Sequence, residues 1–357
     1  MEVTVIKGQD LSPQLIARWS EIQKTSEMLE NPYFCPEFTM ILSQIRNDVF
    51  IGIMKEKGLV KGFFPFHLKR KGIAHPIGLG LSDYHGVISD MDFEWSAEEL
   101  LRGCNLIRWE FNHLLSSQSQ FSAFHKLTSD SAIIELSNGI DSYEKSLGRS
   151  GRKQLKEVQR KKKKLEEQIG PITYISHSTD RKILEQLMNW KSEQCKRTGT
   201  IDIFSLKWCR EFVTHIHSNR NPSFGGILTC LYAGKTLASV HFAMYSQTIW
   251  HSWFPTYNHD LEEYSPGSIL LQEMINDASV NGIKHIDLGK GISLYKKRVM
   301  TNGIKVSEGT VVLPSLRNSV FVMKNQIKNW EKRTSLKPLL RLPVKMIKKM
   351  ERKGKYA

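Results

Sequence analysis

Apolar and polar residues alternate along the chain with two different periods, and these periods predict strands interleaved with helices. In the first part, strands are predicted over residues 2–6, 49–53, 59–68, 123–127 and 132–136, helices over residues 12–28 and 96–117, and an irregular glycine-rich stretch over residues 72–85. In the second part, strands are predicted over residues 172–176, 227–233, 236–245, 248–254, 283–288 and 304–313, and helices over residues 181–197, 205–218 and 266–281. The element order β-α-β-β-α-β-β therefore occurs twice, although no sequence repeat is visible.

The repeated order predicts an α/β protein of two units, and 357 residues suffice for two hydrophobic cores. We divide the chain into an N-terminal domain over residues 1–140, a basic connecting helix over residues 141–169, a C-terminal domain over residues 170–315 and a basic amphipathic tail over residues 316–357. The apolar runs are too short to span a bilayer, and the first residues lack the pattern of a secretory signal. The sequence therefore predicts a cytoplasmic protein.

The cysteines argue against a covalent or metal framework. They are five in number and never spaced C-x-x-C, so neither a disulfide scaffold nor a structural zinc site is expected. We predict reduced, mostly buried thiols and no bound metal. The five are Cys35, Cys104, Cys195, Cys209 and Cys230.

The net charge of +15 is concentrated in two segments. Residues 148–164 hold nine Lys and Arg against Glu157, and residues 317–355 hold thirteen against two glutamates. The first segment could clamp phosphates, with Arg152 on its basic face, or could be a solvated helix between the domains. The second could lie on an anionic membrane surface, or could pack its apolar face on the protein and leave a basic end.

The strongest chemical signal lies in residues 264–297. Here Ser265 is a good helix N-cap and Pro266 suits the first helical position. Gly267 and Ser268 would leave the backbone N–H groups of the first turn open to an anion such as a pyrophosphate. A strand then follows and ends in a polar loop flanked by glycines. The stretch predicts a helix packed on a sheet, with polar residues at the end of the strand.

The run S-P-G before an apolar helix, followed by D-x-G-x-G-x-x-x-Y-K, resembles the signature of the CelD-like branch of the GNAT acyltransferase superfamily. It is also similar to the Fem-type peptidyltransferases, and the resemblance covers most of residues 140–312. It implies tandem GNAT-like domains, each a mixed, mostly antiparallel sheet flanked by helices. It further implies acetyl-CoA or another acyl-CoA as the donor substrate, an amine as the acceptor and no metal.

Such an enzyme needs a neutral amine, a proton acceptor and donors to the developing oxyanion. Asp287, at a strand end beside the loop, is the first candidate for orienting or deprotonating the acceptor, although it could simply cap its own turn. His241 and His251 lie on adjacent predicted strands, and each is either a base or a satisfied core histidine. By resemblance to GNAT enzymes, Tyr295 would protonate the leaving thiolate, or it is a packing residue.

Lys296 is expected to bind a phosphate or the acyl oxygen, as the Fem-type resemblance implies, or to be a solvated lysine. Ser265, Gly267 and Ser268 form the rest of the predicted donor site. The usual GNAT pyrophosphate loop is absent, and three acids, Asp260, Glu262 and Glu263, precede this site. The remaining predicted substrate-binding residues, the first two by resemblance, are Trp190, Gln194, Arg152, Gly289 and Gly291.

The sequence thus predicts an N-acyltransferase, dependent on acetyl-CoA, that acts on an amino group of a cell-envelope polysaccharide precursor or nucleotide sugar. One alternative is a Fem-type aminoacyltransferase that uses aminoacyl-tRNA. The other is a non-catalytic protein that binds membranes or nucleic acid on a degenerate GNAT scaffold. The expected partners are a small-molecule or sugar-linked amine and, through the tail at residues 316–357, the inner face of the cell membrane.

Overall fold

A computed structural model describes residues 1–70, 72–314 and 318. The strands are β1 Glu2–Lys7, β2 Val49–Glu56, β3 Leu59–Arg70, β4 Ile73–Pro76, β5 Ile88–Ser89, β6 Arg108–Leu115, β7 His125–Glu135, β8 Ile172–Ile175, β9 Arg220–Asn221, β10 Phe224–Ala233, β11 Thr236–Tyr245, β12 Ile249–Tyr257, β13 His285–Lys290 and β14 Asn302–Val312. The helices are α1 Pro13–Gln23, α2 Pro36–Ile45, α3 Ala97–Gly103, α4 Gly139–Ser146, α5 Arg149–Gln168, α6 Arg181–Thr198, α7 Lys207–Ser218, α8 Pro266–Val280 and α9 Leu294–Val299.

The strands join into one continuous sheet in the order β1-β2-β3-β4-β6-β14-β7-β13-β12-β11-β10-β8, with β5 and β9 beside it. Each half of the chain contributes one parallel pair, β4 with β6 and β12 with β13, and the other pairs are antiparallel. The last strand of each half crosses over, because β7 pairs with β13 and β14 pairs with β6. The predicted α/β fold, with a mixed, mostly antiparallel arrangement of strands in each half, is confirmed.

Helices cover both faces of this sheet. On one face, α1, α2, α6 and α7 share a single core that spans both halves, and the rings of Phe38 and Phe212 meet edge to face at 5.1 Å. On the other face, α4, α5 and α8 cover the second half with a core around Met274, while α3 covers the first half. The two halves are thus joined by shared apolar packing as well as by the exchanged strands.

The predicted helix over residues 96–117 is wrong. The helix ends at Gly103, and Asn105 takes a left-handed conformation (φ 54°) that a helix cannot continue through. Residues 108–115 form β6 instead and bury Trp109 and Phe111 from alternate positions. The two strands predicted over residues 123–127 and 132–136 are one strand, β7, which is held along its length by β14. The first helix ends at Gln23, and α2 was not predicted.

The predicted connecting segment over residues 141–169 forms α4 and α5, and α5 packs along α8 of the second half. The domain boundaries themselves remain a prediction. The tail predicted over residues 316–357 lies outside the described residues apart from Asn318. Among the described helices, none is long and apolar enough to cross a membrane. All five cysteines are free, and Cys195 is the half-buried one.

Candidate active site

The sheet opens between the parallel strands β12 and β13. They pair only at three positions, ending with His251 opposite Asp287. Beyond that pair β12 continues to Tyr257 and β13 to Lys290 without further pairing to each other. Because α8 leads back into β13 through a short turn, the N-terminus of α8 lies at the end where the strands separate. The structure therefore places an opening in the sheet, a helix N-terminus and the predicted residues His251 and Asp287 at the same end of the second half.

Asp287 is fully buried and strongly hydrogen-bonded. Its Oδ1 atom accepts from the Gly289 N–H at 2.7 Å and the Ser131 hydroxyl at 2.9 Å, and its Oδ2 atom accepts from the Asn31 amide at 3.3 Å. Burial alone would raise the pKa of this carboxyl, but the charge of His251 and the hydrogen bonds outweigh burial and lower the pKa to about 2. Asp287 is therefore ionised at neutral pH. It caps its own turn, and it also belongs to a charged cluster formed by Asp287, His251 and Asp83.

His251 lies between two carboxylates. Its Nδ1 atom is 3.7 Å from Asp287 Oδ1, and its Nε2 atom is 3.2 Å from Oδ2 of Asp83, a residue of the first half. Burial lowers the pKa of this imidazole, but the two carboxylates outweigh burial and raise it to about 9. At neutral pH His251 is thus an imidazolium. In this state the imidazole already carries a proton, whereas the base that the sequence offered as one alternative requires the neutral form.

The motif D-x-G-x-G-x-x-x-Y-K contains the loop after β13, and the structure shows why this motif needs its first glycine and its lysine. Gly289 has φ +77°, and a Cβ atom there would lie 2.8 Å from Asp83 Oδ2. The Lys296 ammonium donates to the carbonyls of Gly289 at 2.8 Å and Lys290 at 3.2 Å. Burial lowers the pKa of Lys296. The lysine therefore holds the loop closed, and its ammonium is already engaged by these two carbonyls.

The other predicted loop residues have clear positions. The Gly291 N–H donates to the Asp130 carbonyl at 2.9 Å, which ties the loop to β7. Tyr295 is in α9 rather than in a loop, and 47% of it is exposed. Partial burial raises the pKa of Tyr295. A half-exposed phenol with a raised pKa stays protonated and can act as a proton donor.

His241 does not join the cluster. Its Nδ1 atom lies 2.7 Å from the sulfur of Met274 in α8, and its Nε2 atom lies 3.0 Å from the Ser252 hydroxyl. Ser252 and His251 are neighbours on β12 and point to opposite faces of the sheet. Burial lowers the pKa of His241 to about 3. It is a neutral histidine packed beneath α8, the alternative that the sequence analysis left open.

The start of α8 differs from its prediction. Ser265 takes a left-handed conformation (φ 52°, ψ 53°) and its hydroxyl caps no helical N–H. Instead the hydroxyl accepts a hydrogen bond from the Lys161 ammonium of α5 at 2.6 Å. Pro266 has no N–H, and the N–H groups of Ser268 and Ile269 both donate to the Ser265 carbonyl. The first turn therefore offers fewer N–H donors to an anion than predicted, and Lys161 brings a positive charge there.

The basic helix α5 also explains how the acids near this helix start are tolerated. Of the acids that precede Ser265, Glu263 pairs with Lys164 at 2.5 Å, and Glu262 lies 3.0 Å from the His259 imidazole. Within α8 itself, Glu273 pairs with Lys162 at 2.8 Å. Because these carboxylates are turned toward basic partners, their repulsion of an anion at Ser265 is reduced.

A cavity of about 180 Å³ lies between α6 and the end of β12. It brings together the predicted residues Trp190 and Gln194 with Arg197 and Tyr257. Arg152 is not part of it, because this residue is exposed on α5 and its guanidinium donates to the Leu147 carbonyl. The predicted substrate-binding residues thus fall into three places: this cavity, the Asp287 loop and the outer face of α5.

Several residues of the first half were missed by sequence reasoning. Asp83 and Tyr84 come from residues 72–85, which were predicted to be irregular but begin with β4, and the Tyr84 hydroxyl helps to lower the pKa of Asp287. His113 of β6 lies with Nε2 3.5 Å from Asp83 Oδ1. The polar run S-D-Y-H at residues 82–85, inside a glycine-rich segment, was a usable signal. Asn31 and Ser131 carried no comparable signal.

Residues 152–297 match the family model described as an acetyltransferase (GNAT) domain. The chain thus carries a GNAT-type acetyltransferase domain, which contains Asp287, His251 and the start of α8. The protein is an acyltransferase. No curated protein matches the chain.

Solved structures agree on the fold of nearly the whole chain. FemX is 10% identical, with a TM-score of 0.58 over 91% of this chain and 100% of that one. A tandem GNAT protein from the clavulanic acid biosynthesis pathway is 8% identical, with a TM-score of 0.50 over 88% and 99%. A C-terminal DUF2156 domain from Agrobacterium fabrum, assigned to a lysylphosphatidylglycerol synthetase, is 11% identical, with a TM-score of 0.52 over 87% and 95%. At these identities the likeness is one of fold.

Proposed function

We propose that the protein is an N-acyltransferase of the CelD-like branch that uses an acyl-CoA, acetyl-CoA in the first instance. Its acceptor would be an amino group on a cell-envelope polysaccharide precursor or a nucleotide sugar. The observation that carries the proposal is the opening between β12 and β13 at His251 and Asp287, with the N-terminus of α8 at the same end. The opening lies inside the region that matches the acetyltransferase model.

The residues at the helix start fit the phosphates of such a donor. The positive end of α8 and the Lys161 ammonium meet at Ser265, and a Cβ atom on Gly267 would approach only Tyr257, at 3.6 Å. The unpaired edges of β12 and β13 beyond His251 would receive the extended arm of the donor. We assign the cavity beside Trp190 and Gln194 to the part of the acceptor that does not react, while the amino group is held at the opening.

The reaction asks little covalent chemistry of the protein. A neutral amine attacks the thioester carbon, the C–N bond forms, and the C–S bond breaks to release the thiol. The cluster of two carboxylates around one imidazolium attracts the cationic form of the acceptor and holds it at the opening. Tyr295, half exposed beside the loop, is the proposed proton donor to the leaving thiolate.

Calorimetry with acetyl-CoA and free CoA, at low and moderate salt, tests the donor assignment. We expect micromolar binding by the wild type, and a loss of about tenfold in Lys161→Ala, since a charge-assisted contact contributes on the order of 1–2 kcal/mol. Lys163→Ala is the matched control, because Lys163 is an exposed lysine of the same helix that pairs with Glu167. If the wild type binds neither ligand at either salt concentration, the donor is not a CoA thioester.

A second candidate, aminoacyl transfer from charged tRNA, is favoured by the outer face of α5. At 3.6 residues per turn, six exposed cations of this helix share one face. Nucleic acid would bind there with an affinity that falls steeply with salt. A charged-tRNA binding assay in the six-fold alanine variant separates this candidate from acyl-CoA use, and binding of neither donor would favour a non-catalytic role. The six cations are Arg149, Arg152, Lys153, Lys156, Arg160 and Lys163.

A further inference from the structure

The charged cluster at the opening is built from both halves of the chain, and its two carboxylates differ in access. Asp287 and His251 have no exposed side-chain surface, whereas the Asp83 side chain is 30% exposed. An acceptor that arrives from solvent can therefore reach Asp83 but not Asp287. We propose that Asp83 is the carboxylate that binds the ammonium group of the acceptor and takes its proton. The inference rests on the proposed N-acyl transfer and names the residue that meets the acceptor.

The geometry holds Asp83 in one place. Its Oδ2 atom lies 3.2 Å from His251 Nε2, and its Oδ1 atom lies 3.5 Å from His113 Nε2. Gly289 leaves the space that the carboxylate occupies, because a Cβ atom there would lie 2.8 Å from Oδ2. A carboxylate fixed by two imidazoles loses little further freedom when it binds a substrate. His251 and Asp287 act behind it as positioning residues.

The charges around Asp83 favour binding of a cationic acceptor. Burial alone would raise the pKa of Asp83, but the contact and charge of His251 lower it, so the carboxylate is charged at neutral pH. Lys296 of the same loop donates its ammonium to the carbonyls of Gly289 and Lys290 rather than to Asp83. The exposed side of the cluster therefore presents a negative charge to the acceptor.

The proton balance follows from this placement. The acceptor enters as an ammonium ion and gives one proton to Asp83, from which solvent removes it. The neutral amine then attacks the thioester carbon of the acyl-CoA, and the C–S bond breaks. The second proton of the nitrogen ends on the departing thiolate. One ammonium ion and one acyl thioester become one amide, one thiol and one released proton, and no oxidant or metal is required.

The proposal gives the first half of the chain a chemical role. Asp83 belongs to the connection between β4 and β5, and it lies against the D-x-G loop of the second half at Gly289. The region that matches the acetyltransferase model, residues 152–297, does not include Asp83. The acceptor-facing carboxylate therefore comes from outside the matched domain, and we expect both halves to be needed for turnover.

Steady-state kinetics of Asp83→Asn test the proposal, with acetyl-CoA as donor, glucosamine and a UDP-linked amino sugar as acceptor probes, and thiol release as the readout. We expect kcat/KM for the amine to fall about 100-fold or more, in the range for loss of a general base, while acetyl-CoA affinity stays within about twofold. Asp83→Glu keeps the charge and should recover part of the lost rate. Thermal melting of each variant checks that it is folded.

Asp48→Asn is the matched control. Asp48 is a partly buried carboxylate that lies 3.0 Å from the Nδ1 atom of a buried histidine, His67, and it is not part of the cluster. Its replacement should lower stability without changing either kinetic constant. If wild-type turnover is measurable and Asp83→Asn keeps acceptor kcat/KM within about threefold, the role of Asp83 is overturned and the acyltransferase proposal stands. If the wild type neither binds nor cleaves acetyl-CoA, the proposed function fails, and this role fails with it.

Discussion

The charge state of His251 gives a stability prediction that can be worked out from the structure. The histidine is fully buried, lies between Asp287 and Asp83, and has its pKa raised from 6.5 to about 9. A raised pKa in the folded state means that the proton stabilises the fold. This stabilisation is fully present below pH 6.5 and is lost as the pH rises through 9. A shift of about 2.5 pH units corresponds to about 3 kcal/mol of unfolding free energy.

The perturbation is His251→Asn, which removes the titrating group. We expect the difference in unfolding free energy between wild type and variant to fall by about 3 kcal/mol between pH 6 and pH 10. Titration of Asp287 does not contribute between pH 6 and pH 10. Its lowered pKa gives a stabilisation that is present above pH 3.8 and is lost only as the pH falls through about 2. Urea unfolding followed by tryptophan fluorescence, at constant ionic strength, measures the difference.

His67→Asn is the control for this experiment. His67 is also buried and also contacts a carboxylate, that of Asp48, but burial lowers the pKa of its imidazole. Protonation of His67 therefore opposes folding below about pH 6.5, and its contribution to the unfolding free energy stays constant from pH 7 to pH 10. If the difference for His251→Asn also stays flat across that range, within about 1 kcal/mol, His251 does not share its proton with the two carboxylates and the account of the cluster is wrong.

Two further predictions concern the loop. Gly289→Ala should lower the unfolding free energy by about 1–2 kcal/mol more than Gly291→Ala does, as measured by urea unfolding. Both glycines have positive φ, but only at Gly289 would an added Cβ atom meet Asp83, at 2.8 Å. Equal losses of stability in the two variants would contradict that contact. Lys296→Met should speed amide hydrogen exchange over residues 289–296 at least tenfold, because the carbonyls of Gly289 and Lys290 lose their hydrogen-bond donor. An unchanged exchange rate would mean that the lysine does not hold the loop.

Local patterns sufficed for much of the second half. The hairpin of β10 and β11 and the helix α8 were predicted within a few residues, because their apolar periods and turn residues lie close together in sequence. Local patterns failed for residues 108–115, whose apolar residues fit a helix until β14 supplies the pairing partner. They failed also at Ser265, where a lysine of α5 takes the hydroxyl that was expected to cap α8.

The candidate site divides in the same way. Asp287, Gly289 and Lys296 belong to one short motif, and their mutual contacts span two to seven residues, so their spacing pointed to them. The residues that contact Asp287 and His251 from the first half could not be predicted from the spacing of motifs. Asn31 lies 256 positions from Asp287, and Asp83 lies 168 positions from His251.

By itself, therefore, the sequence determined the α/β class, the repeated element order and the motif at the end of β13, because these depend on side-chain periodicity and turn chemistry within short segments. Only the tertiary structure decided that the closing strands exchange between the halves. It alone decided that a carboxylate of the first half completes a cluster in the second. The physical reason is that burial and long-range pairing set which charges meet, and these charges then set the protonation state of His251.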